Sequence, residues 1–238
     1  MTFSVAGHCP RTGMFGAAVS TSSLAVGSRC AWVRAGVGVA LIQNYADPAL
    51  GPQALQMLAD GMDAAPTLDR LVEAAGPGRA WRQIMVLDSQ GRTASHDGEC
   101  CFEINGCVAA PHCIAGGNHL ASAHVAPAIA AAFDAADSEL HLGERLLLAL
   151  EAGLAAGGEA NPVRSAHLLV ADRLAWPLID LRVDLHERPI EELRRVWDAF
   201  APQAAGFVAR ALDPAGAPMH PGLRGADPKP PGNDPRLG

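Results

Sequence analysis

Lysine is all but missing from this chain. Of its 18 basic residues only Lys229 is a lysine, and it stands close to the C-terminus. The body of the protein therefore has no P-loop lysine, no Schiff-base lysine for pyridoxal phosphate and no Ser–Lys dyad. Runs of basic residues are also lacking. Arg194-Arg195 is the densest basic spot, it falls on an amphipathic helical stretch, and the net charge of −7 points away from nucleic acid. No apolar run approaches the ~18 residues that cross a bilayer. The N-terminus lacks the basic segment and long apolar segment of a secretory signal, so the expectation is a cytoplasmic protein without a membrane partner. Cys-x-x-Cys pairs are absent too. Cys9, Cys30, Cys100, Cys101, Cys107 and Cys113 are then expected as reduced thiols.

What is present reads as one large domain. Apolar residues make up 49% of the chain and charged residues 18%, a balance that favours a compact core over disorder. Strand-like segments come first: Thr2–Gly7 and Met14–Thr21 around a Cys9–Gly13 turn, then Arg29–Arg34 and Val37–Asn44 around Ala35-Gly36. Helical spacing of Leu55, Leu58 and Met62 follows Pro52, and Leu68–Ala75 continues to the stop at Gly76-Pro77-Gly78. A further hairpin, Arg82–Asp88 with Thr93–Asp97, precedes strand-like pieces at 102–108 and 112–115. Ala121–Ala135 and Leu142–Ala156 are long helices; the second is apolar on most sides and so is expected between other layers. Ser165–Ala171 and Leu178–Leu185 return to strand character, and Pro189–Phe200 is an amphipathic helix. From Leu212 onward Pro and Gly dominate, so the domain is drawn as 1–211 and residues 212–238 as a disordered tail. Strands, helix pairs and strands again suit two antiparallel sheets with helices outside them.

The residue with the most chemical content is Thr2. Its small side chain directs removal of Met1, and an N-terminal threonine holds a hydroxyl nucleophile and its own base. That α-amine titrates near ~8 rather than the ~10.4 of a lysine.

A longer series of residues resembles a known family. Thr2-Phe3-Ser4, the stretch 16–27 (GAAVSTSSLAVG), 32–38 (WVRAGVG), Gln43, Pro48 and Gly51-Pro52 occur in its order. So do Arg82-Gln83, Asp88, Gly91-Arg92, Gly117-Asn118, Ser165-Ala166 and 180–184 (DLRVD). Together they resemble the bacterial family called domain of unknown function 1028, over roughly residues 2 to 200. That family is similar to the N-terminal nucleophile (Ntn) hydrolases, which mostly cleave amide bonds. The resemblance implies an α+β fold, a four-layer αββα sandwich, with a nucleophile at position 2 on a strand between the sheets. Thr2 matches the nucleophile and Gly117-Asn118 a family Gly-Asn, whereas Ser22 stands where relatives usually carry a basic residue.

On this reading Thr2 and Asn118 are the catalytic residues. Thr2 Oγ attacks a carbonyl while its amine takes the proton, and Asn118 donates to the oxyanion; the competing role for Asn118 is a turn asparagine. Thr21, Arg34, Gln43 and Gly117 are the candidate substrate contacts. Arg34 is the candidate cation in a domain without lysine, its rival role being a surface arginine of a hairpin. Thr21 and Gln43 can equally be polar residues at sheet ends. Asp180, Arg182 and Asp184 share one face of a strand and read as an ion-pair ladder.

The function expected is hydrolysis of a C–N bond in a small metabolite, by a protein that forms a homodimer and uses no cofactor. One alternative is an Ntn-fold binding or scaffold protein without catalysis. The other is a metal-dependent hydrolase using His96, Cys100, Cys101, Cys107, His112 and Cys113. Those six fall within 18 residues, but their spacing lacks the paired knuckles of a zinc site, so no metal is assigned.

Overall fold

The computed structural model describes residues 1–217. The chain divides into two compact units, Met1–Ala199 and a second that begins at Phe200. The first holds ten strands: β1 Thr2–Cys9, β2 Met14–Thr21, β3 Ala31–Arg34, β4 Gly38–Asn44, β5 Arg82–Asp88, β6 Thr93–Asp97, β7 Gly106–Ala110, β8 Cys113–Asn118, β9 Ser165–Ala171 and β10 Ile179–Val183. Its helices are α1 Leu50–Ala59, α2 Ala64–Ala74, α3 Val125–Ala135, α4 Leu142–Ala155 and α5 Pro189–Phe200, whose last residue opens the second unit. The second unit contains α6, Ala204–Leu212, which composition did not announce. The expected tail, 212–238, lies mostly outside the described residues.

The α+β expectation holds. All strand pairs are antiparallel, in a six-stranded sheet of order β10-β9-β2-β1-β8-β7 and a four-stranded sheet of order β3-β4-β5-β6. Helices α1 and α2 lie against β4, β5 and β6, whereas α3 and α4 lie against β1, β2, β8 and β9. The sheets face each other through contacts of β1, β2 and β8 with β3, β4 and β5. Helix α5 is tied to α4: Arg194 bridges Glu144 at 2.7 Å and Glu151 at 2.8 Å.

Alternation along the strands assigns every side chain to a layer. Ala40, Ile42, Ile84 and Val86 pack under Leu50, Leu58 and Leu71 of the first helix pair. Their odd-numbered neighbours Val39, Leu41, Met85 and Leu87 meet Ala6, Ala17, Val19 and Ile114 of the larger sheet. This inter-sheet cluster is the core that orients the site. On the other face of β1, Gly7 lets Phe133 and Leu146 approach so closely that a Cβ there would stand 2.6 Å from the Phe133 ring.

Asp88 shows what links it to Gly91-Arg92 in this fold. Its buried carboxylate accepts from the backbone N–H groups of Ala64, Gln90 and Arg92 at 3.0, 2.9 and 3.0 Å, and from Arg92 Nε at 2.8 Å. It organises the β5–β6 turn and the start of α2. The expected ladder on β10 forms in part: Arg182 reaches Asp184 at 3.1 Å, while Asp180 pairs with the buried His167 at 2.8 Å. That hydrogen bond from His167 holds the Asp180 carboxyl below the usual carboxylate range.

Candidate active site at the end of the inter-sheet space

Period two extends the inter-sheet face to the strand ends. Ala6 carries Thr2 and Ser4 with it on β1, Val19 carries Thr21, Leu41 carries Gln43, Met85 carries Gln83, and Ile114 carries Asn118. Register sets them side by side: Thr2 pairs with Asn118, and Gln43 with Gln83. All six of these polar residues are buried. A row of polar groups thus closes an otherwise apolar slot, at the end where β1 begins.

The polar chain is anchored at Asp97. Gln83 Nε2 donates to Asp97 Oδ1 at 2.6 Å and to the Gly117 carbonyl at 2.8 Å, which fixes which end of the amide is which. Gln83 Oε1 then accepts from Asn118 Nδ2 at 2.9 Å and from Gln43 Nε2 at 3.3 Å. Asn118 is therefore the last residue of a strand, held by Gln83, and not a turn asparagine; one of its two Nδ2 hydrogens is used there. Asn118 Oδ1 and Gln43 Oε1 are buried acceptors without a donor among the described residues.

Thr2 Oγ1 lies 3.4 Å from Thr21 Oγ1, and both hydroxyls donate to the carbonyl of Met1. Thr21 Oγ1 also accepts from the Ser23 N–H at 3.3 Å. The Met1 thioether meets Asn161 Nδ2 at 3.2 Å. Burial pushes the Met1 α-ammonium below its ordinary value of 8.0, and the Glu159 carboxylate opposes that shift. Glu159 is 6% exposed; its Oε2 accepts from the Ser22 N–H at 2.8 Å, and its Oε1 has no partner among the described residues.

The structure brings Thr2, Thr21, Gln43 and Asn118 together. It does not bring Arg34 there. Register pairs Arg34 with Gly38, at the opposite end of β4 from Gln43, about 17 Å of strand away. The expectation of Arg34 as the cation beside Thr2 is corrected accordingly: a strand end near a glycine turn has two possible ends, and composition does not say which. Arg29 is the cation that acts on the amino terminus, and its guanidinium is held by the carbonyls of Leu24 and Ala25. Gly117 lies in the cluster through its backbone. A Cβ there would stand 2.5 Å from Leu120 and 2.7 Å from the Thr2 carbonyl, so glycine serves close packing of β8 on β1.

Gln83, Asp97, Glu159 and Asn161 were not named as site residues from sequence, although Gln83 stands in the series that resembles the family. Gln83 had a signal, its two-residue spacing from Met85 and Leu87. Glu159 had none, because it follows the Gly157-Gly158 stop of α4 and reaches Ser22 through tertiary packing alone. The Cys/His-rich stretch disperses: among the described residues no group of three or more His, Cys, Asp or Glu side chains converges as metal ligands. Burial raises the thiols of Cys30 (to about 11), Cys101 and Cys107, which disfavours their thiolate forms.

A family model described as "Family of unknown function (DUF1028)" matches residues 2–193. The chain belongs to the DUF1028 family. A crystal structure of a DUF1028 protein from Silicibacter pomeroyi is similar at 31% identity, with a TM-score of 0.78, over 86% of this chain and 94% of that one. Two structures of Anbu from Hyphomicrobium sp. strain MC1, one a Gly-1 mutant, are distantly similar at 13% and 14% identity. Their TM-scores are 0.40 and 0.39, over 86% and 85% of this chain and 96% of each of theirs. No curated protein matches. Among the described residues of this DUF1028 chain no helix is long and apolar enough to cross a membrane.

Proposed function

We propose that this DUF1028 protein is an amide hydrolase of the N-terminal nucleophile type, acting on a small molecule once Met1 has been removed. One observation carries the reading. The first strand delivers the Thr2 hydroxyl to the polar end of the space between two facing sheets, opposite an Asn118 that the Gln83–Asp97 chain holds in place. The succession of helix pair, sheet, sheet and helix pair supports the Ntn-like αββα assignment, because such a slot puts a residue that begins a central strand within reach of both sheets.

In the proposed reaction the neutral Thr2 amine takes the proton from Oγ1 as the oxygen attacks the substrate carbonyl. Asn118 Nδ2 stabilises the oxyanion with its remaining hydrogen. The tetrahedral species collapses by breaking the C–N bond, and the amine's proton leaves with the departing nitrogen. Water then attacks the Thr2 ester with the same amine as base, releasing the acid and restoring the hydroxyl. Thr21, 3.4 Å from the nucleophile, orients it.

A second reading has its own observation. While Met1 remains, both hydroxyls are spent on its carbonyl and Thr2 has no free amine, so a chain that keeps Met1 is a binding protein only. Intact mass separates the two, since the enzyme has lost one methionine and carries no acetyl group. Thr2→Ser then retains part of the turnover, and Thr2→Ala loses it with the fold intact. Wild-type rates in Thr2→Ala and in a form with a retained upstream tag would end the nucleophile reading.

A further inference from the structure

Met1 shows where an acyl group sits in this site. A carbonyl carried on the nitrogen of a threonine and one carried on its Oγ differ by a shift through a five-membered ring, so both occupy nearly the same volume. The residue that precedes Thr2 is therefore a stand-in for the acyl half of a Thr2-bound intermediate. The atoms it stands in for are an acyl carbonyl, an α-ammonium and an apolar side chain. The Met1 carbonyl accepts from the Thr2 and Thr21 hydroxyls; in the ester, where Thr2 Oγ1 has lost its hydrogen, only the Thr21 donor is left.

The surroundings of those three parts are specific. Glu159 acts on the ammonium at longer range than an ion pair: its carboxylate is only 6% exposed, and its Oε1 has no partner among the described residues. An ionised carboxylate buried with one oxygen unpaired is costly unless a cation or a strong donor completes it. Its Oε2 is fixed by the Ser22 N–H, immediately after Thr21, so the free oxygen is tied to the geometry of the nucleophile. The Met1 thioether contacts Asn161, and Glu159 and Asn161 both line a cavity of about 310 Å³ whose walls include Leu154, Pro162, Val163 and Ile190. Gln43 Oε1 and Asn118 Oδ1 add two more acceptors without donors to the same cluster. The site is rich in unpaired acceptors, which suits a substrate that brings N–H groups.

We infer that the acyl half of the substrate is an α-aminoacyl group with an apolar side chain, seated in the volume of Met1, its free ammonium completing the unpartnered Oε1 of Glu159. The inference rests on the hydrolase reading above and names its substrate class: amides of apolar α-amino acids. In the reaction the Thr2 Oγ1–carbonyl bond forms, the C–N bond breaks, and the nitrogen leaves as ammonia or an amine. Water then releases the free amino acid.

The test uses the mature chain, with Thr2 verified as the N-terminus by mass, and two probes, L-methioninamide and N-acetyl-L-methioninamide. Acetylation removes the ammonium and leaves the scissile amide unchanged. The expected result is a kcat/KM for methioninamide about 10–100-fold above that for the acetylated probe, the range of one hydrogen-bonded charge. Glu159→Gln should abolish that preference chiefly through KM, while Thr2→Ser should lower kcat and keep the preference. Should Glu159→Gln fail to fold, binding of both probes to Thr2→Ala, measured by calorimetry, gives the same comparison. Equal or better use of the acetylated probe overturns the substrate class and leaves the hydrolase standing. If methioninamide is untouched while a β-lactone still acylates Thr2, the class is again wrong and the nucleophile right. If neither happens, both fall.

Discussion

At the scale of single residues the cluster divides labour by what each side chain can donate. Asn118 has one amide hydrogen committed to Gln83, and the proposed reaction uses the other. Asn118→Ala is therefore expected to lower kcat by roughly 10²–10³, the usual loss for one oxyanion donor, with little change in Tm. Unchanged turnover with a large loss of Tm would make Asn118 a packing residue. The amino terminus supplies the second prediction at this scale. Burial disfavours the charged form, so the Met1 ammonium is pushed below 8.0, and the Thr2 amine, one residue further into the slot, is expected to follow. The base must be neutral to work, so kcat/KM should rise with pH along an acid limb centred below pH 8. Glu159 favours the protonated amine, hence Glu159→Gln should move this acid limb to lower pH. A limb that moves upward, or one centred well above pH 8, contradicts the assignment.

At the scale of elements, β1 matters most, because it carries the proposed nucleophile and is gripped by β2 on one side and β8 on the other. The grip on β8 depends on a missing side chain. A Cβ at Gly117 would stand 2.7 Å from the Thr2 carbonyl, a backbone atom that cannot swing away. Gly117→Ala should therefore displace the start of β1. Misplacing a nucleophile by about 1 Å costs on the order of 10²-fold, and the overpacking itself costs about 1–3 kcal/mol. Kinetics on folded Gly117→Ala, with Tm measured alongside, checks both; normal kcat/KM would show that β1 has slack. The β5–β6 turn acts at the far end of the same frame. Asp88 joins it to α2 through the Ala64 N–H, so Asp88 and Arg92 belong to the scaffold rather than the proposed chemistry.

At the scale of the molecule, two facing sheets create a narrow slot, and helices on the outer faces of both leave its ends as the places for chemistry. The second unit begins at Phe200 and contains α6, where Phe200 stacks on Phe207 at 5.5 Å. The Pro- and Gly-rich segment beyond it offers little to a core. Ending the chain after Ala211 should shift Tm by no more than a few degrees, read from a thermal melt; a larger drop would make residues beyond 211 a docked element.

Sequence alone determined the elements whose periodicity is set by local contacts. The bounds of β2, β5, β6, β9 and α5 agree with the reading from pattern, and those of β1, β4 and α4 differ by a residue or two. Alternation and helical spacing are properties of neighbouring residues, so they survive without knowledge of the fold. Thr2 was legible as a candidate because a residue that follows Met1 and opens a strand is visible without the fold. Only tertiary structure decided which polar residues meet. It set Arg34 of β3 against Gly38, the end of β4 far from Gln43, drew in Gln83 and Asp97 from the opposite sheet, and placed Glu159 beside the Ser22 backbone from the far side of α4. Convergence of this kind is fixed by sheet order, register and helix packing, and those depend on which apolar faces bury one another across the whole chain.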